Sequence, residues 1–440
     1  MRVLLIGGGG REHALAVALR RDAEVTELHA APGNPGIGQL AALHRLDVSD
    51  TAAIAGLATR TRADLVVIGP EAPLVAGAAD AVRAAGIPCF GPSAAAARIE
   101  GSKAFAKEVM AAAGIPTAMA HVCDTPAEAA AALDAYGSPY VVKDDALAAG
   151  KGVVVTHDRA AALAHASSCD VVVIEEYLQG PEVSLFAVTD GTTVVALAPA
   201  QDFKRVRDGD TGPNTGGMGA YSPLPWAPPH LARDIVDRVV QPAVDELRAR
   251  GTPFVGLLYA GIALTAQGIR VIEFNARFGD PETQVVLARL QTPLGALLHA
   301  AATGQLDMAE PLHWGKHAAV AVVLAAHGYP GAVRTGDPIE GCRDAEDIDG
   351  ALVLQAGTAL DPDGRLVSAG GRVLSVVGTG PDLGSARDTA YRAVERLRLE
   401  GSHHRSDIAA AAAAGTVSIP TPLPIRGRTP VHDHEDLEGL

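Results

Sequence analysis

Three features of this sequence predict an α/β protein with an N-terminal parallel-sheet (Rossmann-like) domain, a larger mixed middle and a small α+β C-terminal domain. The chain has 440 residues, and at roughly 150 residues per domain that length accommodates about three, each with its own core. Through the first hundred residues, strand-like apolar runs alternate with helix-like ones, the pattern of βαβ units. From Pro139 onward that alternation gives way to short paired β runs.

In order, the strands of the first domain are expected at Val3–Ile6, Val25–Ala30, Leu65–Ile68 and Pro88–Phe90, with a helix over Glu12–Arg21. Ser93–Ala113 is rich in alanine and reads as helix interrupted at Gly101, and Gly114-Ile115-Pro116 stops it. This places a domain boundary at about 100. Strand signals follow at Tyr140–Val142, Val153–Thr156, Val171–Ile174, Ser184–Thr189 and Val194–Pro199. Gln201–Pro229 is long, polar and rich in Gly and Pro, which reads as a functional loop. A helix is expected over Leu231–Arg250, and strands over Leu257–Leu264 and Arg270–Phe274. The last third carries strand signals at Ala319–Ala325, Ala351–Gly357 and Arg372–Gly378 and a helix at Ser385–Leu397. The expected division is 1–100, 101–315 and 316–420, with 421–440 a flexible tail.

Composition narrows the function. Hydrophobic residues make up 48% and charged residues 20%, the balance of a folding globular chain. A net charge of −15, with no Lys/Arg-rich run, argues against nucleic acid as a partner. A small phosphorylated metabolite needs only a few local cations. Cys89, Cys123, Cys169 and Cys342 lie far apart, which supports neither a disulfide framework nor a sulfur-rich zinc site and fits a reducing cytosol. No apolar run approaches the roughly 20 residues that span a bilayer, and the N-terminus does not resemble a signal peptide. A cytoplasmic protein, monomeric rather than obligately oligomeric, is expected.

Five motifs carry chemistry. Gly7-Gly8-Gly9-Gly10-Arg11-Glu12-His13 follows a strand and opens a helix, where bare backbone N–H groups favour an anion. A dinucleotide fingerprint would need a third glycine at Glu12 and an acid after the second strand, so this turn is a phosphate cradle with Arg11 beside it or merely a tight turn. Two further turns, containing Asn34 and Pro70-Glu71, face the same sheet edge, where ligands of parallel sheets collect. Lys143 ends a strand before Gly150-Lys151-Gly152, a loop that either folds over phosphates or is a plain hairpin and that fails the Walker pattern. Glu273, Asn275 and Arg277 alternate on one strand face, two hard oxygen donors and a cation suited to magnesium and phosphate. Glu175-Glu176-Tyr177-Leu178, with Glu182 beyond, end a strand where an adenine and ribose could bind, or form a solvated turn. Asp202 and Asp210–Gly219 are too polar and glycine-rich for core.

The order of these motifs, with Glu100-Gly101-Ser102-Lys103 and Phe278-Gly279-Asp280-Pro281-Glu282 added, closely resembles the phosphoribosylamine-glycine ligases of purine synthesis, members of the ATP-grasp superfamily, over about residues 1–420. The resemblance implies a central ATP-grasp domain with a mobile lid subdomain at about 120–185. It implies ligation of glycine to 5-phosphoribosylamine through a glycyl phosphate, with ATP consumed and glycinamide ribonucleotide formed. It also implies a role for each motif. Lys103 and Lys143 would hold ATP phosphates under a lid of Gly150-Lys151-Gly152, with Lys143 also catalytic. Glu175 and the backbone of Glu176, Tyr177 and Leu178 would take adenine, and Glu182 the ribose. Glu273 and Asn275 would bind Mg2+ or Mn2+, while Arg277 stabilises the phosphoryl group in flight. Gly8, Gly9, Gly10, Arg11 and Glu12, with Asn34, Pro70 and Glu71, would seat phosphoribosylamine. Asp202, as a catalytic group, and Asp210, Asn214, Thr215, Gly216, Gly217 and Met218 would line the glycine and amine side. Where the family has a glycine after the strand lysine this chain has Ala146, a change worth about 1 kcal/mol if φ there is positive. The alternatives are another ATP-grasp carboxylate-amine ligase, a nicotinamide-dependent oxidoreductase, or a non-catalytic nucleotide sensor.

Overall fold

The computed structural model describes residues 1–145 and 152–421; Ala146, Gly150, Lys151 and nearly all of the expected tail lie outside them. Five parallel strands form the N-terminal sheet in the order Ala42–Leu43, Glu27–Pro32, Arg2–Gly7, Leu65–Ile68, Cys89–Phe90. The strand order reverses at Arg2–Gly7, so the crevice beyond its carboxyl end, between Gly7 and Gly69, is the topological switch point where ligands of such sheets bind. Val3, Leu4, Leu5 and Ile6 are all fully buried because helices cover both faces of the sheet.

The alanine-rich segment is two helices, Ala94–Gly101 and Lys103–Ala112, broken at Ser102. The Ser102 hydroxyl caps the second helix by accepting from Phe105 N. Asp145, just beyond the strand that carries Lys143, also accepts from Ala104 N, at 2.8 Å. One carboxylate thereby fixes Lys103 and Lys143 relative to each other.

A four-stranded antiparallel sheet follows, in the order Ala120–Cys123, Val172–Glu175, Tyr140–Asp144, Val153–Thr156. With the helices Pro126–Tyr136 and Arg159–Ala166 it encloses a small core of its own, built on Leu133, Val142 and Ile174. A second antiparallel sheet, in the order Val194–Ala196, Glu182–Asp190, Val255–Thr265, Gly268–Asn275, carries the metal-type residues on its edge strand. The third is shared between the middle and the last third of the chain. It runs Gln201–Asp202, Gly219–Ser222, Ala318–Ala325, Arg372–Gly380, Ala351–Gln355.

That sharing corrects the reading of Gln201–Pro229 as a loop. Gly219–Ser222 is buried at every residue, paired with Ala319–Val322. It lies between two neighbouring strands and against the helix Glu282–Arg289, with Tyr221 fully buried among them. All four cysteines are free. No described helix is long and apolar enough to cross a membrane.

Candidate functional site

The glycine-rich turn is the first surprise. The helix Gly10–Arg21 begins two residues before the expected Glu12, and its first exposed N–H groups meet an anion of the chain's own. Gly9 N donates to Glu12 Oε2 at 2.6 Å, and Arg11 Nε donates to Glu12 Oε1 at 2.5 Å. The glycines make room for that carboxylate. A Cβ on Gly7, whose φ is +123°, would lie 2.6 Å from Glu12 Cγ, and one on Gly69 would lie 2.7 Å from Glu12 Cδ. Glu12 therefore fills the space a dinucleotide pyrophosphate would need, which removes the physical basis of the oxidoreductase reading. The guanidinium of Arg11 is turned inward too, donating to Phe278 O at 3.1 Å.

A cavity of about 1050 Å³ opens beyond this turn. Lining it from the N-terminal side are Gly8, Gly9, Arg11, Glu12, Pro70 and Glu71. From the middle of the chain come Lys103, Lys143, Gly152, Glu175, Glu176, Tyr177, Leu178, Glu182, Asp202, Glu273, Asn275 and Arg277, and the polar stretch adds Asp210, Asn214, Thr215 and Gly216. Four expected residues do not line it. Gly10 is enclosed in the first helical turn against Gln284. Asn34 is a buried strut, its amide donating to Gly8 O and Gln355 O at 2.9 Å each. Gly217 packs against Pro281, and Met218 is fully buried in a cluster with Val206 and Ala325. Gly150 and Lys151 fall outside the described residues.

Ion pairs organise the floor. Arg277 Nε lies 3.2 Å from Glu71 and its Nη2 lies 3.0 Å from Glu100. Burial works against the Arg277 charge, but Glu100 and Glu71 outweigh it and raise its affinity for the proton. Burial raises Glu100 despite Arg277, whereas at Glu71 burial is overcome by Arg277 and Arg11 and the carboxyl is held low. Glu273 behaves like Glu71: desolvation pushes it up, and Lys204, Lys143, Arg277 and Lys103 pull it down further. It is thus kept ionised, as a metal ligand must be.

Asp202 differs. Burial, with Glu282, Glu182 and Glu273 nearby, outweighs Lys204 and lifts its carboxyl to about 7. Its neighbour Lys204 is ion-paired with Glu182. Deeper still, Tyr259 donates to Glu282 at 2.7 Å, and Ser184 lies 3.3 Å from the same oxygen. The polar stretch is held from the C-terminal side: buried Arg405 Nη1 donates to Asp210 Oδ1 at 2.7 Å, and its guanidinium lies 4.8 Å from the Phe203 ring centre.

Two contributors escape the sequence reading. Lys107 stands one helical turn beyond Lys103 and reaches Glu175 at 2.9 Å, a spacing that the helical period makes legible. Arg372, from the C-terminal strand, donates through Nη1 to Gly216 O and Asp280 O at 2.6 Å each. Nothing local in the sequence marks it, since its partners lie more than ninety residues away.

These features have counterparts in known proteins. Residues 1–100 match the phosphoribosylglycinamide synthetase N domain, residues 101–283 its ATP-grasp (A) domain and residues 319–411 its C domain. The chain is 67% identical over 415 residues to the phosphoribosylamine–glycine ligase of Streptomyces coelicolor, covering 94% of this chain and all of that one. It is 58% identical over 428 residues to that of Mycobacterium leprae, covering 95% and 100%. Among solved structures, phosphoribosylamine–glycine ligase from Thermotoga maritima superposes with a TM-score of 0.80 at 33% identity, covering 93% of this chain and 100% of that one. The biotin carboxylase domain of Hydrogenobacter thermophilus 2-oxoglutarate carboxylase shares the fold, with a TM-score of 0.68 at 17% identity, covering 92% and 91%. A glycine cage closed by Glu12, paired lysines facing Glu273 and Asn275, and matches at this level across three domains lead to one assignment: the chain belongs to the phosphoribosylamine–glycine ligase family, ATP-grasp ligases of purine biosynthesis.

Proposed function

We propose that this chain couples ATP cleavage to formation of the amide between glycine and 5-phosphoribosylamine, by way of glycyl phosphate, and that the cavity described above is where it does so. The observation that carries the reading is the convergence of Lys103, Lys143, Glu273, Asn275 and Arg277 on one cavity from separate elements. Phosphoryl transfer asks a protein mainly for positioned charge, and these residues supply it.

Lys103 and Lys143 hold the nucleotide phosphates, and the backbone of Glu176, Tyr177 and Leu178 takes the adenine edge. The structure bears on two finer roles: both carboxylate oxygens of Glu175 are engaged by lysines, and Glu182 is paired with Lys204. Glu175 thus contributes to the adenine pocket by orienting those lysines, and Glu182 reaches a ribose hydroxyl once Lys204 yields or shares it. The Val172–Glu175 sheet, with its separate core, closes as a lid over the nucleotide.

Glu273 and Asn275 fit a divalent cation, Mg2+ or Mn2+, one carboxylate and one amide oxygen on adjacent outward positions of a strand. Among the described residues no group of three or more acidic, His or Cys side chains forms a self-contained metal site. Glu273 and Asn275 supply two of the roughly six oxygen positions such a cation takes, and nucleotide phosphates complete the coordination. When bound, the cation neutralises charge on the phosphoryl oxygens. Arg277, fixed by Glu71 and Glu100, directs its remaining charge to the group in transfer. Asp202, with a carboxyl that titrates near neutral pH, accepts a proton from the attacking amine. Gly8, Gly9, Pro70 and Glu71 line the phosphoribosylamine side, and Asp210, Asn214, Thr215 and Gly216 the glycine side.

The test is phosphate release from ATP with glycine and freshly prepared phosphoribosylamine, each omitted in turn. Full release requires all three. Release that continues undiminished without either acceptor would overturn the assignment.

A further inference from the structure

Glu175 is 3% exposed and lies between two lysines, Lys107 Nζ at 2.9 Å from one oxygen and Lys143 Nζ at 2.7 Å from the other. Lys107 also donates to Thr117 Oγ1 at 2.9 Å and to Ala118 O at 3.0 Å, so its three protons are all directed. Thr117 in turn donates to Val271 O at 2.7 Å, and Lys143 donates to Ile272 O at 2.9 Å. Both lysines are therefore tied to consecutive carbonyls of the strand that ends in Glu273 and Asn275.

Charge decides what this clamp does. Two ammonium groups and one carboxylate leave a single positive charge, which Lys143 presents at the cavity. Without Lys107, Glu175 and Lys143 would cancel each other, and the carboxylate would hold Lys143 as its only cation.

We propose that Lys107 is a positioning residue for nucleotide binding: by neutralising one side of Glu175, it leaves the charge of Lys143 available to the phosphates of ATP. The inference rests on the reading above that Lys143 faces those phosphates. A merely structural Lys107, tying its helix to Thr117 and Ala118, would act on stability regardless of the charge at Glu175.

The experiment uses the full-length enzyme and measures KM for ATP, KM for glycine, kcat and melting temperature for K107M, K107Q, K107R, E175Q, the double variant K107M/E175Q, and K143M. K107M is expected to raise KM for ATP about tenfold or more, the scale of one lost charge-assisted contact, with KM for glycine nearly unchanged. K107R should stay near wild type. The decisive arm is K107M/E175Q, because a neutral amide at 175 returns the net positive charge to Lys143. KM for ATP should fall well below that of K107M, to the level that E175Q alone gives. K107Q, which keeps a donor but not the charge, carries the same comparison where methionine is not tolerated. A KM for ATP within twofold of wild type in K107M and K107Q would overturn the proposal, as would a double variant no better than the single one. K143M separates the two levels of the argument. Near-normal turnover in K143M removes the reading of its strand, whereas collapse of K143M beside an unaffected K107M removes this inference alone.

Discussion

Replacing Arg277 with Met tests whether the arginine holds the cavity floor together as well as facing the reaction. Its side chain is 16% exposed and pairs with Glu71 and with Glu100, the latter 7% exposed. Methionine keeps much of the apolar stem and deletes the charge, leaving two carboxylates beside each other with Arg11 Nη1, 3.9 Å from Glu71, as the nearest remaining cation. Breaking a buried pair by removing one partner costs about 3–5 kcal/mol. The pH dependence has a definite sign. Glu71 is held low in the native protein largely by Arg277, so it adds stability above its unfolded value that is lost as pH falls through its folded one. Glu100 is raised by burial, so it favours folding below its unfolded value and loses that advantage as pH rises. In Arg277→Met both are raised. The variant can then hold its carboxyls neutral under acid conditions, but must ionise them unpaired at higher pH. Thermal melts of variant and wild type should differ by several degrees more at about pH 8 than at about pH 5. Turnover should fall on the order of a hundredfold or more at both. An equal loss of melting temperature at the two pH values would refute the ion-pair argument, and retained turnover would remove Arg277 from the reaction.

Glu273→Gln should leave the fold intact, with some loss of melting temperature because four cations lose their carboxylate, and shift the magnesium dependence of turnover to much higher concentration, because a charged oxygen ligand becomes neutral; a superimposable magnesium titration would show that Glu273 is not a ligand. Asp202→Asn should flatten stability against pH. Since the Asp202 carboxyl is raised to about 7 from an unfolded value of about 4, its protonated form favours folding and that advantage is lost between those two values, so the variant should lose less melting temperature than wild type between about pH 4 and about pH 7. Parallel melting curves would contradict that shift. Arg372→Ala deletes donors to Gly216 O and Asp280 O and should lower stability by about 1–3 kcal/mol while raising KM for glycine or phosphoribosylamine more than KM for ATP. A rise confined to ATP would place the clamp on the wrong side of the cavity.

Much of the fold is legible because its signals are local. The break in the alanine-rich helix falls within a residue of Gly101, since Ser102 is a strong capping residue followed by good helix formers. The strands Gly268–Asn275 and Arg372–Gly380 appear where apolar patterning puts them. Gly219–Ser222 is missed for the opposite reason. Its residues, Gly-Ala-Tyr-Ser, carry no alternation, and only a partner strand a hundred residues later makes them core. Site residues divide in the same way. Glu273 and Asn275 are recognisable from strand periodicity, and Lys107 is reachable from the helical period. Arg372 and Arg405 are not, because an arginine that caps carbonyls or carboxylates of distant loops has no local pattern.

The glycine-rich turn shows how a sequence signal can be read correctly in place and differently in chemistry. The four glycines do prepare a helix N-terminus for a negative charge, and the charge is supplied three residues later in the same chain. An internal carboxylate gives a rigid turn rather than an open cradle, and that rigidity is exported. Arg11 N donates to Asp280 Oδ2 at 3.2 Å, Asp280 O accepts from Arg372, and Arg372 also holds Gly216. Through these contacts the N-terminal turn, the segment after the metal-type strand and the polar stretch are fixed to one another before any ligand arrives. The side proposed for the nucleotide is different. There the Lys143 strand belongs to a sheet with its own separate core, joined to the rest by Lys107, Asp145 and Lys143. A hard-wired side proposed for the acceptors, facing a separately packed side proposed for the nucleotide, suits a two-step reaction, in which the acyl phosphate must stay in place while the nucleotide half adjusts around what remains of ATP.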